Sequence, residues 1–223
     1  MAIRNLRLNN GQTIDLDEWL SWALYSTVEF AAASRVKLPS FSYTVGQPVP
    51  RAGLPKRLAD PSDTNMVIAK KINHDEAFVA FSLTYEPFAL SNYLVDGSQN
   101  LNGAEAPAIH ATALRLLQEQ MMLSFRVGTR QAKPQARAPL ARFAQGAGPV
   151  AAASSGPLGA AWSSGTAGRP SPRHQRRWPM PIFVQSDRKV TVDVETPRGP
   201  IANLGQDVRL RLYLDGIKRR PVA

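Results

Sequence analysis

The chain has 223 residues, 43% hydrophobic and 20% charged, enough apolar material for one large domain or two small ones. It contains no cysteine, which excludes disulfides, thiolate nucleophiles and cysteine-based zinc sites. The net charge is +10 but unevenly placed: no acidic residue lies between Glu119 and Asp187, an interval with nine basic ones, and the rest of the chain holds 18 basic and 17 acidic residues. A basic segment of this kind attracts nucleic acid, acidic protein or anionic lipid without choosing among them.

Ile3, Leu6 and Leu8 run into the Asn9-Asn10-Gly11 turn and predict a short strand, with no secretory h-region. In residues 15–24, Leu16, Leu20, Ala23 and Leu24 follow helical spacing behind Asp15, Asp17 and Glu18. A helix is expected there, with Trp19 and Trp22 in the core; the rival reading is a strand from Tyr25 to Phe30. Residues 40–45 alternate strictly and read as a strand stopped by Gly46. Pro48, Pro50, Pro55 and Pro61 make residues 46–62 an extended loop. Residues 60–65 offer oxygen atoms at short spacing but lack the glycine and distal glutamate of a calcium loop. A turn closed by side-chain-to-backbone hydrogen bonds is expected instead.

Residues 66–69 read as a short strand, 77–85 as a central strand, 108–120 as a helix opened by Pro107, and 121–127 as a buried strand closed by Gly128. Residues 129–179 then turn to Ala, Gly, Pro, Ser and Arg. Such a composition buries too little surface to offset the entropy of ordering it, so a basic insert that orders only against a partner is expected. Strands resume at 181–184, 189–195 and 208–214. Val190, Val192 and Val194, and Val208, Leu210, Leu212 and Leu214, mark the faces turned inward, the pattern of antiparallel sheets with one face buried.

The fold expected is mainly β: an antiparallel β-sandwich or jelly-roll-like barrel with one or two helices and a long basic loop insert. Residues 1–128 form the first part of the domain, 129–179 the insert or arm, and 180–223 the strands that complete the same domain. No apolar run approaches the roughly 18 residues of a membrane span, so a soluble protein kept in a cytoplasm is expected.

The sequence assigns no catalytic, cofactor-binding or metal residue. His74 stands beside Asp75 and Glu76 without further ligands at recognisable spacing, His110 falls in the first turn of the second helix, and His174 lies in the insert. A nucleophile elbow, a phosphate loop and a dinucleotide fingerprint are all missing. An enzyme is therefore not expected. The best partner-binding segment is Arg169, Arg173, Arg176, Arg177 and Trp178, where guanidinium forks suit phosphates and the indole suits stacking on a base. Lys218, Arg219 and Arg220 form a second basic patch.

The compact β domain, proline-rich loops, missing cysteines and basic extension go with a final strand, 208–214, followed by Asp215-Gly216-Ile217-Lys218-Arg219-Arg220-Pro221. This combination resembles a bacteriophage virion structural protein, a β-barrel capsid or capsid-associated subunit. The resemblance implies a homo-oligomer that docks with other virion proteins in a symmetric shell, made in the host cytoplasm and residing in the virion. The insert would then reach a neighbouring subunit or the packaged genome. The second reading is a nucleic-acid-binding protein that uses the basic insert, with salt-sensitive affinity. The third is a carbohydrate-active sandwich, which requires clustered carboxylates with Trp or Tyr in one cleft.

Overall fold

A computed structural model describes residues 5–7, 13–15, 19–72, 77–90, 109–128, 134, 136–143, 152–155, 161–165, 178, 181–186, 188–202, 204–205 and 207–219. In chain order the elements are β1 (Asn5–Arg7), β2 (Thr13–Asp15), β3 (Trp19–Phe30), β4 (Lys37–Ser40), β5 (Arg51–Ala52), β6 (Phe78–Ala89) and β7 (Ile109–His110), followed by α1 (Ala111–Gln120). Then come β8 (Met122–Val127), β9 (Ala136–Pro139), a 3-10 turn at Leu140–Phe143, β10 (Ala152–Ser155), β11 (Ala161–Gly165), β12 (Ile182–Val184), β13 (Val190–Glu195) and β14 (Val208–Arg219).

Two sheets carry the fold, which is mainly β and consistent with a β-sandwich. One has the order β12-β6-β14-β3-β5, antiparallel except for the β3–β5 pair; the other, β4-β13-β8-β9, is wholly antiparallel. Their apolar residues meet in one core: Val28, Phe30, Leu83, Leu210 and Leu212 from the first sheet, Leu123, Phe125, Val192 and Val194 from the second. Leu114 and Leu117 on one face of α1 join that core. Two smaller sheets, β1-β2 and β10-β11-β7, complete the described strands.

β3 and β14 are paired along all twelve residues, from Phe30↔Val208 to Trp19↔Arg219. The helix expected over residues 15–24 is thus replaced, from Trp19 onward, by a strand. The spacing of Leu20 and Leu24 belongs to both periods, and the alternation Leu20, Trp22, Leu24, Ser26, Val28, Phe30 decides for the strand. Beyond Ser40 the alternation expected to 45 is broken: Phe41 takes φ 58°, its N–H donates to Ser26 Oγ at 2.9 Å, and its ring is fully buried. Residues 66–69 form bends and turns with an isolated bridge, Ile68↔Lys71, rather than a strand.

The ordered body takes in part of the segment read as an insert. β9 pairs with β8, and Leu140 and Phe143 of the 3-10 turn are buried in the core. At Gly216 the β14–β6 ladder shifts register. A Cβ there would stand 2.1 Å from the Val79 carbonyl oxygen, so the close approach of β6 demands glycine.

Candidate functional site: an open strand edge

The sequence of β3 explains why its edge needs cover. Its even-numbered residues face β14, because the N–H or C=O groups of Ala23, Tyr25, Thr27 and Glu29 all meet partners on the opposite side. Those partners come from residues 43–65. Asn65 acts as a single peptide unit: its Oδ1 accepts from Tyr25 N–H at 2.9 Å and its Nδ2 donates to Ala23 O at 2.8 Å. The Tyr43 hydroxyl accepts from Thr27 N–H at 3.0 Å and donates to Thr27 O at 2.7 Å. Pro50 O accepts from Glu29 N–H, and β5 adds two residues of parallel ladder.

A buried charge cluster anchors this cover. Glu29, wholly buried on β3, has Arg57 Nη2 at 2.6 Å, Arg51 Nε at 2.6 Å and Arg209 Nε at 2.8 Å. Arg57 also holds Asp63, at 2.6 Å. Burial pushes the Glu29 carboxyl up, but the hydrogen bonds and charge of Arg57, with Arg209 and Arg51, outweigh it and leave the group below its ordinary range. Asp63 is lowered by the same balance: burial opposes, and Arg57 prevails. Burial raises the Tyr43 hydroxyl to about 12, so it stays protonated. The turn at 60–65 is closed as expected: Ser62 N–H donates to Asp60 Oδ1 at 2.7 Å, and Met66 N–H to Thr64 Oγ1 at 3.1 Å.

The cover stops at Ala23. By alternation the N–H and C=O of Ser21 point to the same open side, and among the described residues no strand pairs with them. There the inner face of the sheet also runs past its core: Trp22 is 42% exposed and Leu20 39%, although Leu24, one pleat further in, is buried. Val67, 75% exposed, stands on the same small cleft of about 50 Å³, which Leu24, Met66, Ile72 and Phe78 line with Trp22. The two tryptophans expected in the core therefore sit outside it: Trp22 is exposed where β3 outruns the second sheet, and Trp19, on the opposite face of the strand, is half-buried.

Of the residues singled out from sequence, Arg169, Arg173, Arg176, Arg177 and Arg220 lie outside the described residues, as do His74 and His174. Trp178 is half-buried; its ring stacks on Phe125 with centroids 5.1 Å apart, and its backbone N–H donates to Phe81 O at 2.7 Å. It thus ties the end of the basic segment to the core. Lys218 and Arg219 lie on β14 opposite Leu20 and Trp19, and the Lys218 ammonium sits 5.0 Å from the centre of the Trp22 ring. Leu20, Ser21 and Trp22 went unread as a site, although their alternation with Leu24 carried the signal.

The outer face of the same sheet holds carboxylates. Asp215 accepts from Ser82 Oγ at 3.1 Å and Thr84 Oγ1 at 3.2 Å; Glu86 accepts from Tyr213 at 2.8 Å. Burial raises the Asp215 carboxyl while the two hydroxyls oppose it. Glu86 and Ser82, the register partner of Asp215, stand four residues apart on β6, roughly 13 Å along the strand. Each carboxylate is engaged with its own neighbours. Among the described residues no group of three or more His, Asp or Glu forms a metal site, and no helix is long and apolar enough to cross a membrane. No known family, curated protein or solved structure matches the chain.

Proposed function

We propose that the protein is a non-enzymatic assembly subunit of a virus particle, which joins a second copy of itself through the open edge of β3. The observation that carries this reading is the coincidence of the outward edge at Ser21, which no strand pairs among the described residues, with exposed Leu20 and Trp22 on either side of it. An unpaired strand edge is a template for another strand, and exposed apolar surface beside it favours burial. The virion setting is supported by the resemblance drawn from the sequence; the sandwich would be its jelly-roll-like body and the basic segment its arm.

The edge is self-complementary. Antiparallel pairing across a two-fold axis at Ser21 places Ser21 opposite Ser21, and Leu20 of each copy opposite Trp22 of the other. The four apolar side chains then share one face. So small a contact falls below the ~1,200 Å² of a stable interface, so weak, concentration-dependent pairing is expected, as in a shell closed by many contacts.

The test is light scattering over a concentration range on the parent chain and on Ser21→Pro. Among the described residues no strand pairs with the Ser21 N–H, so proline removes the edge donor while the fold stands. The parent is expected to exceed 24.4 kDa as concentration rises and the variant to stay at it. A parent that stays monomeric, or a variant that assembles equally well, overturns the reading.

A further inference from the structure

A second surface lies on the outer face of the sheet β4-β13-β8-β9. A groove of about 730 Å³ crosses it, and its lining carries five cations, Lys37, Lys70, Arg126, Arg137 and Lys189, against two anions, Asp193 and Glu195. The two anions are already taken: Arg126 lies 3.2 Å from Asp193, and Arg137 2.9 Å from Glu195. Lys37, Lys70 and Lys189 are exposed and make no ion pair among the described residues. Among the described residues the groove therefore presents three more positive charges than negative ones. The Arg126 Nε is buried and without an acceptor, a donor left over at the groove wall.

The register sets these charges in a line. Arg137 is opposite Ser124, Arg126 is opposite Thr191, and Lys189 O accepts from Gly128 N–H at 2.8 Å. Each step from Arg137 to Arg126 to Lys189 moves one strand across and two residues along, which is about 8 Å between Cα atoms. Lys70 adjoins the last of them: its carbonyl accepts from Val190 N–H at 2.7 Å, and its φ is 66°. That left-handed conformation is disfavoured for a lysine and freely adopted by a glycine. Backbone strain is here combined with a cation on the rim of a basic groove.

We infer that this groove binds the phosphodiester backbone of nucleic acid. The ammonium groups of Lys37, Lys70 and Lys189, beside a line of cations from Arg137 through Arg126 to Lys189, suit a chain of phosphates. The internal strands β13 and β8 offer an acidic peptide no free edge to pair with, so the groove suits an anion held by charge alone. Among the described residues no aromatic side chain lines the groove, so contact through the backbone rather than base stacking is expected, and binding independent of sequence. The inference is independent of the assembly reading, because Ser21 is not among the groove residues.

The experiment measures binding of the full chain to a labelled oligonucleotide, single- and double-stranded, as salt is varied. Four proteins are compared: the parent, Lys70→Gly, the triple variant Lys37→Ala/Lys70→Gly/Lys189→Ala, and a variant with Arg169, Arg173, Arg176 and Arg177 changed to Gln. Neutralising three phosphates gives the groove a share of about −2 to −3 in the slope of log affinity against log salt. Lys70→Gly is expected to lower the slope by about 1 while unfolding at the same or higher urea concentration, which separates lost charge from lost fold. The triple variant is expected to lose most of the affinity. Unchanged binding in the triple variant with loss in the arginine variant overturns the assignment, transferring the contact to residues 169–177. Equal binding of poly-glutamate at matched charge overturns the choice of phosphate.

Discussion

Replacing Glu29 by Gln tests whether the charge cluster holds the cover of β3 in place. The substitution keeps the shape and one carbonyl acceptor but leaves three guanidinium groups converging on a neutral amide, with Asp63 the remaining partner, for Arg57. Breaking a buried ion pair from one side costs about 3–5 kcal/mol. The Glu29 side chain is 0% exposed, while Arg51, Arg57 and Arg209 are 14, 24 and 29% exposed, so water reaches the arginines in part. That places the loss at the lower end, about 3 kcal/mol. With a urea dependence of about 2 kcal/mol per molar, the unfolding midpoint followed by tryptophan fluorescence falls by about 1.5 M. Trypsin should cut the variant faster at Arg51, Lys56 and Arg57 as the cover loosens. A midpoint within about 0.3 M of the parent, with unchanged cleavage, would refute the reasoning and make the cluster a solvated surface feature.

Three further outcomes follow from the same structure. Glu29 and Asp63 have folded-state values below their ordinary 4.5 and 3.8, so their stabilisation is complete above those values and is lost as pH falls through the folded ones. Urea midpoints taken downward from pH 6 should drop below about pH 4.5, and Glu29→Gln should flatten that drop. Asp215 is raised, so its contribution has the opposite sign, present below 3.8 and lost as pH rises through the folded value. Asp215→Asn should unfold at pH 7 at the same or higher urea concentration, and a lower midpoint counts against the shift. Gly216→Ala forces a Cβ to 2.1 Å from Val79 O and 2.6 Å from the Phe78 ring, so it should cost the upper part of the ~1–3 kcal/mol of overpacking. A thermal midpoint equal to the parent's would show that β6 can move aside.

The strands whose inner and outer faces differ in chemistry were legible in the sequence. β13 and β14 show the expected alternation of buried and half-exposed residues from Val190 to Glu195 and from Val208 onward, and β6, α1 and β8 fall where expected. β3 was not legible at its start, because Leu20 and Leu24 satisfy helical spacing as well as alternation, and only their partners on β14, Lys218 and Leu214 near the far end of the sequence, break the tie. The candidate edge was hidden for a related reason. Whether a strand is covered depends on distant side chains, and nothing local marks Asn65 and Tyr43 as mimics of a neighbouring strand. The groove was hidden because Lys37, Lys70, the pair Arg126 and Arg137, and Lys189 come from separate stretches of the chain, and only strand register sets them on one face.

One short segment touches both surfaces. Asn65 closes the last covered position of β3, Val67 stands at the cleft beside Trp22, and Lys70 stands at the groove, with its carbonyl bonded to β13. A polyanion held at Lys70 would therefore bear on the segment whose other end, Asn65, is bonded to Tyr25 and Ala23 of β3. Coupling of this kind is reciprocal: if the oligonucleotide tightens self-association by some factor, self-association tightens its binding by the same factor. Such reciprocity suits a subunit that closes a shell around nucleic acid, because assembly is then favoured where the polyanion is present. Light scattering of the parent and Lys70→Gly, each with and without the oligonucleotide, separates coupling through this turn from two sites that merely share a molecule. Coupling requires that added oligonucleotide shift the parent's association curve and leave that of Lys70→Gly in place.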